Sequence, residues 1–117
     1  MAQNKIITKE IVKMMEKYPL YSQDGKGLDA KLLFKVFNPY GSGTWLITEA
    51  EKQEDGDYLL YGLCHLFEWE WGYVMLSDLL TTRINVFGCK LPLERDIYTK
   101  NCKVRDCLSR SEIDFLE

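Results

Sequence analysis

The spacing of hydrophobic positions along the chain changes several times, and each change marks an element. Ile11, Met14, Met15 and Tyr18 recur at helical spacing behind Thr8, a suitable N-cap, with Glu10 in the first turn and Ile7 and Val12 placed as a hydrophobic staple. This predicts a helix from about Thr8 to Tyr18, ended by Pro19. A polar, glycine-bearing loop follows from Ser22 to Gly27. The period then falls to two: Ala30, Leu32, Phe34 and Val36 alternate with Lys31, Leu33, Lys35 and Phe37, the pattern of a half-buried strand, and Asn38 to Gly43 supplies a turn. Thr44 to Glu51 is rich in β-formers and leads through Asp55-Gly56, a favoured hairpin turn, into a strand from Tyr58 to Leu63.

The strongest alternation is Phe67-Glu68-Trp69-Glu70-Trp71-Gly72-Tyr73. In an extended chain it sends Phe67, Trp69 and Trp71 to one face and Glu68 and Glu70 to the other. The aromatics there read chiefly as core. A further short strand is expected over Gly72 to Leu76, then a short helix capped by Ser77, a loop from Arg83 to Leu91 and a strand from Leu93 to Thr99. Ser109-Arg110-Ser111-Glu112 fits a capping box, with Leu108 and Ile113 as its staple, and predicts a closing helix. The sum is an α+β fold: an antiparallel meander packed on one face by the N-terminal helix and short C-terminal helices.

At 117 residues and 46% hydrophobic, the chain has material for one core, and a single domain over 1–117 is expected. The apolar runs are far shorter than a bilayer span, and the opening Met-Ala-Gln-Asn-Lys lacks the apolar stretch of a secretory signal. A soluble cytoplasmic protein with no membrane partner is expected, its four cysteines held as free thiols. The net charge of −3 is unevenly spread. Residues 1–43 hold seven lysines against four acids; residues 44–80 hold eight acids against Lys52 alone; residues 81–117 hold seven basic and six acidic residues. An acidic middle repels nucleic acid and attracts basic protein surfaces, so any phosphate contact has to come from the flanking thirds.

One further set of residues bears on kinship. Leu20-Tyr21-Ser22-Gln23, Gly43-Thr44-Trp45-Leu46-Ile47-Thr48-Glu49, Tyr61-Gly62-Leu63, the stretch from Phe67 through Leu79 and Leu91-Pro92-x-Glu94-Arg95-Asp96 resemble, in order and spacing, the bacterial domain-of-unknown-function 2958 family over roughly residues 6–99. The resemblance implies a small accessory protein carried by phages, plasmids and conjugative elements. Some members carry the label of single-stranded DNA endonuclease. Cys64-His65-Leu66 and the Cys-containing tail depart from the usual pattern.

Candidate chemistry divides three ways. A metal-dependent nuclease, needing Mg²⁺ or Mn²⁺, would draw on Glu68, Glu70, Glu94 and Asp96 if their two strands were adjacent. A structural network would instead pair Arg95 with Glu49, Glu68 or Glu70 across the sheet. A binding surface would use Trp45, Glu49, Glu68, Glu70, Trp71 and Arg95. Cys64-His65 and Cys102/Cys107 lack the paired spacing of a zinc site, His65 has no nucleophile partner, and no catalytic motif is complete. Tyr40, Tyr61, Tyr73 and the tryptophans offer base-stacking rings, but the charges around them are acidic, which disfavours direct nucleic-acid binding. The favoured expectation is a non-catalytic binding module without cofactor or metal. Its acidic, aromatic-rich sheet edge would meet a protein partner, such as a basic nucleic-acid-binding protein, and an inhibitor of a host defence or nucleic-acid enzyme would fit. The paired-carboxylate endonuclease is the alternative.

Overall fold

The computed structural model describes residues 6–117; the first five, read above as lacking a secretory signal, lie outside them. Helix α1 spans Lys9–Lys17, and its cap is the expected one, with the Thr8 hydroxyl accepting from the Ile11 N–H at 3.2 Å. Four strands then form the meander: β1 (Phe34–Phe37), β2 (Thr44–Lys52), β3 (Tyr58–His65) and β4 (Trp69–Met75). A two-residue strand, β7 (Glu94–Arg95), joins the far side of β1 to give the antiparallel order β4-β3-β2-β1-β7. Helix α2 (Leu76–Thr81) follows β4, and α3 (Arg110–Leu116) closes the chain on its capping box, Ser109 accepting from the Glu112 N–H and Glu112 from the Ser109 N–H. The fold is α+β, as the hydrophobic pattern predicts.

Cores form on both faces of the sheet. On one face Phe34, Val36, Ile47, Ala50 and Leu60 pack with Ile11 and Met15 of α1 and Leu76 and Leu79 of α2. On the other, Leu46 and Leu63 pack with Leu28, Ala30, Leu32 and Val104, closed over by Leu108, Ile113 and Leu116 of the C-terminal tail. Each fully buried leucine or isoleucine contributes about 1.5–3 kcal/mol relative to exposure. A two-sided sheet explains why so short a chain buries Leu46 and Ile47, neighbours on opposite faces, with no exposure of either.

Four expected elements differ. The strand expected from Ala30 shortens to Phe34–Phe37, because Ala30 and Leu32 enter one core while Phe34 and Val36 enter the other, which a continuous strand cannot do. Ser77 does not cap α2 but lies inside it. The cap comes from Asp57 in the β2–β3 hairpin, whose carboxylate accepts from the Ser77 N–H at 3.0 Å and the Ser77 hydroxyl at 2.6 Å. The expected loop at 83–91 is a hairpin of β5 (Arg83–Val86) and β6 (Cys89–Pro92), turned at Phe87-Gly88, both with positive φ. The strand expected over 93–99 stops at Arg95, where the Asp96 side chain accepts from the Tyr98 N–H and bends the chain away.

Among the described residues no helix is long and apolar enough to cross a membrane.

Candidate functional site

Strand β4 is one edge of the sheet, paired to β3 alone. The pairing is centred on Phe67, so Tyr61 faces Tyr73, Gly62 faces Gly72, Leu63 faces Trp71 and Cys64 faces Glu70. Alternation then sorts the two faces of this edge. One carries Trp69, Trp71 and Tyr73 beside Tyr61; the other carries Glu70 and Gly72 beside Cys64 and Gly62. The Trp71 ring stacks on Tyr61, with centroids 5.8 Å apart and planes 17° from parallel, and Tyr73 tilts against the same tyrosine at 4.9 Å. Such pairs add about 0.5–1.5 kcal/mol beyond area burial. Trp71 is nonetheless 37% exposed and Tyr73 55%, so both rings face solvent; the sequence reads Tyr73 mainly as packing, while it also places Trp71 in a binding surface. Trp69 is the half-buried member, and its indole N–H donates to Glu112 of α3 at 2.6 Å. Phe67 lies in the β3–β4 turn, outside the strand, and is 98% exposed.

This aromatic platform is held from behind by Glu49. Nine residues of β2 face eight of β3, and the register shifts between Ile47 and Glu49, with Thr48 the extra residue. The bulge puts Glu49 opposite Tyr61, on the aromatic face, whereas strict alternation would set it with Trp45 and Ile47. There the buried carboxylate accepts from the Tyr21 N–H at 2.8 Å and the Gln23 N–H at 2.9 Å, fixing the loop after α1. Gln23, also buried, donates to the Lys31 and Thr48 carbonyls and accepts from the Lys31 N–H. Desolvation, and after it the charge of Glu49, push the Tyr61 hydroxyl above the ordinary tyrosine range; desolvation and then neighbouring Tyr21 do the same for Tyr73. Both stay neutral donors at physiological pH.

On the opposite face of the same edge a shallow groove of about 310 Å³ runs past Trp45, Cys64, Glu68, Glu70 and Gly72. Gly72 lines it without a side chain and pairs with Gly62 of β3. Gly62 is obligatory, since a Cβ there would run into the Leu46 carbonyl oxygen, whereas a Cβ on Gly72 meets nothing within 4 Å. Burial pushes the Cys64 thiol up to about 11, so it lines the groove as a neutral thiol at physiological pH.

Of the residues singled out from sequence, Trp45, Glu68 and Glu70 line this one groove; Trp71 borders it too, but its ring stacks on Tyr61 on the other face. Glu49 does not join them and is engaged with backbone N–H groups. Arg95 is also elsewhere: β7 is the opposite edge, four interstrand spacings from β4 and thus roughly 19 Å away. The expected pairing of Arg95 with Glu49, Glu68 or Glu70 does not form, and its Nε is buried without a hydrogen-bond partner. The same separation divides the four-carboxylate set. Glu68 and Glu70 stand at one edge, Glu94 and Asp96 at the other, and Asp96 pairs with Lys35 at 3.4 Å. Among the described residues no group of three or more His, Cys, Asp or Glu could hold a metal ion.

Sequence reasoning missed Tyr21, Cys64 and Gly72 as site residues and read Tyr61 and Tyr73 mainly as packing. A usable signal was present: a turn centred on Phe67 aligns tyrosine with tyrosine and glycine with glycine.

No curated protein and no solved structure matches the chain. The model of a protein family of unknown function, DUF2958, matches residues 6–106, which takes in the whole sheet, the aromatic edge and the tail through Asp106. The chain therefore belongs to the DUF2958 family.

Proposed function

We propose that this protein is a small non-catalytic binding module that docks through its β4 edge on a basic surface of a partner protein. The observation that carries the reading is the solvent-facing Trp71–Tyr61–Tyr73 stack on an edge strand flanked by Glu68 and Glu70, with Phe67 fully projecting at the turn. Exposed aromatics of this kind are the anchors of interfaces. An edge strand adds a row of backbone groups for a partner, and the acids set the sign of that partner. Lys52 is the sole lysine or arginine from 44 to 80. A basic nucleic-acid-binding protein suits this surface, and a cytoplasmic accessory protein of a phage or other mobile element, acting as an inhibitor of a host defence or nucleic-acid enzyme, is the role it fits.

The test is a comparison of the wild-type chain with the double charge reversal Glu68→Lys/Glu70→Lys. Both are immobilised in a bacterial lysate and the retained proteins identified. A basic protein held by the wild type, released by salt and weakened by about tenfold or more in the variant supports the reading. Equal retention by both chains overturns it.

A further inference from the structure

We propose that the groove between α1 and the segment following β7 is a binding site for the phosphate of a nucleotide-sized ligand. It has a volume of about 420 Å³, within the range of small-ligand sites, and lies on the edge of the sheet opposite the aromatic one, so it is independent of the docking surface.

Its charge is unbalanced. Lys13, Lys17, Lys31, Arg95 and Lys100 line it, against only Glu10 and Asp96. Both acids are engaged: Glu10 with Lys100 at 3.6 Å, and Asp96 with Lys35, outside the groove, at 3.4 Å. Among the described residues this leaves Lys13, Lys17, Lys31 and Arg95 without a carboxylate. Lys31 reaches only the Asn101 side-chain oxygen, at 3.4 Å. Lys13 and Lys17 stand four residues apart on one side of α1, a like-charge arrangement that destabilises an isolated helix and is relieved by an anion between them. The cations come from three separate segments that the fold brings together.

Arg95 defines the chemistry. It is only partly exposed, and its Nε is buried with no acceptor in reach. That Nε is closed to solvent, so a ligand in the groove meets Arg95 through the rest of its guanidinium. Guanidinium offers a planar fork that matches phosphate oxygens two at a time, and lysines around it add charge without demanding geometry. The uncharged part of the wall mixes Ile11, Met14, Phe34 and Ile97 with Thr8, Thr99 and Asn101, which suits an organic phosphate better than the inorganic ion. The phosphate can belong to a free nucleotide or to a nucleic-acid strand, and the two are separable by experiment.

The experiment is an amide-resolved NMR titration of the full chain with four probes: inorganic phosphate, a nucleoside triphosphate, the same nucleoside without phosphate, and a short oligothymidylate. Saturable shifts confined to α1, Lys31 and residues 95–101 are expected with the triphosphate or the oligonucleotide and not with the bare nucleoside. Tighter binding of the triphosphate assigns the free nucleotide; tighter binding of the oligonucleotide assigns the strand. Arg95→Gln is expected to weaken binding by about tenfold or more. The surface pair Lys13→Gln/Lys17→Gln provides the same test without touching a buried group, and Glu70→Gln at the far edge should change nothing. No saturable shift with any phosphate-bearing probe, or unaltered binding in the lysine pair, overturns the proposal.

Discussion

The two edges of the sheet differ in how the chain treats an unpaired strand. At β7 the edge is two residues long, ends in an Asp96 turn and is surrounded by charged side chains. Short, charged edges are how proteins ordinarily prevent a sheet from recruiting another chain. At β4 the edge runs seven residues, alternates with exposed aromatic rings and keeps only Glu68 and Glu70 as guards. The contrast teaches that exposure at β4 is not a shortage of covering material, since α3 reaches across to Trp69 and stops there. The platform is left open, and one strand inward on the same face the buried Glu49 anchors the loop after α1.

If so, stability resides behind the β4 edge and not on it, and substitutions can break that statement. The largest effect is expected at Glu49. Glu49→Ala leaves the Tyr21 and Gln23 N–H groups without their acceptor and should cost about 2–4 kcal/mol in urea unfolding. A loss under about 1 kcal/mol would mean that the platform is not held from behind. Next comes the glycine pair. Gly62→Ala forces the new methyl into the Leu46 carbonyl and should destabilise by about 1–3 kcal/mol, while Gly72→Ala, one strand outward, should stay within about 0.5 kcal/mol of the wild type and still weaken partner binding by filling the groove floor. Equal stability losses at the two positions would erase the distinction between edge and interior.

The smallest effect is the local undocking of α3 by acid. The Ser109 N–H, and after it the Trp69 indole, hold the Glu112 carboxyl below its ordinary 4.5. A lowered folded pKa contributes stability that is present above the unfolded value and is lost as pH falls through the folded one. Trp69 fluorescence should therefore be constant above pH 5 and change only below about pH 4.5, and Glu112→Gln should move that transition. A change centred well above pH 5, or one that Glu112→Gln leaves in place, would detach the transition from the Glu112 carboxyl.

Much of the fold is legible in local chemistry. Thr8 and Ser109 announce their helices because a cap is a contact between residues three apart, and Asp55-Gly56 announces its hairpin in the same way. What escapes is set by residues distant in sequence. Asp57 caps a helix that begins at Leu76, and Ser77, the obvious local cap, becomes a donor to it. Phe87 adopts a positive φ in a tight turn, so a hairpin reads as a loop. The site is half legible for the same reason. Alternation separates Glu70 from Trp71 correctly, but only the strand order reveals that Glu94, Arg95 and Asp96 belong to the other edge.

The bulge at Thr48 also divides β2 into two reading frames. Residues 44–47 are read against Gly62 to His65 in one phase, and residues 49–52 against Tyr58 to Tyr61 in the other. Removing a residue well before the bulge, Leu46 for example, would transpose its neighbours unless the bulge itself closed to absorb the loss. Removing Thr48 would not, because the two phases would simply join. Length itself thus carries information in this strand: deleting Thr48 keeps both phases, and what is lost is the carbonyl that Gln23 donates to.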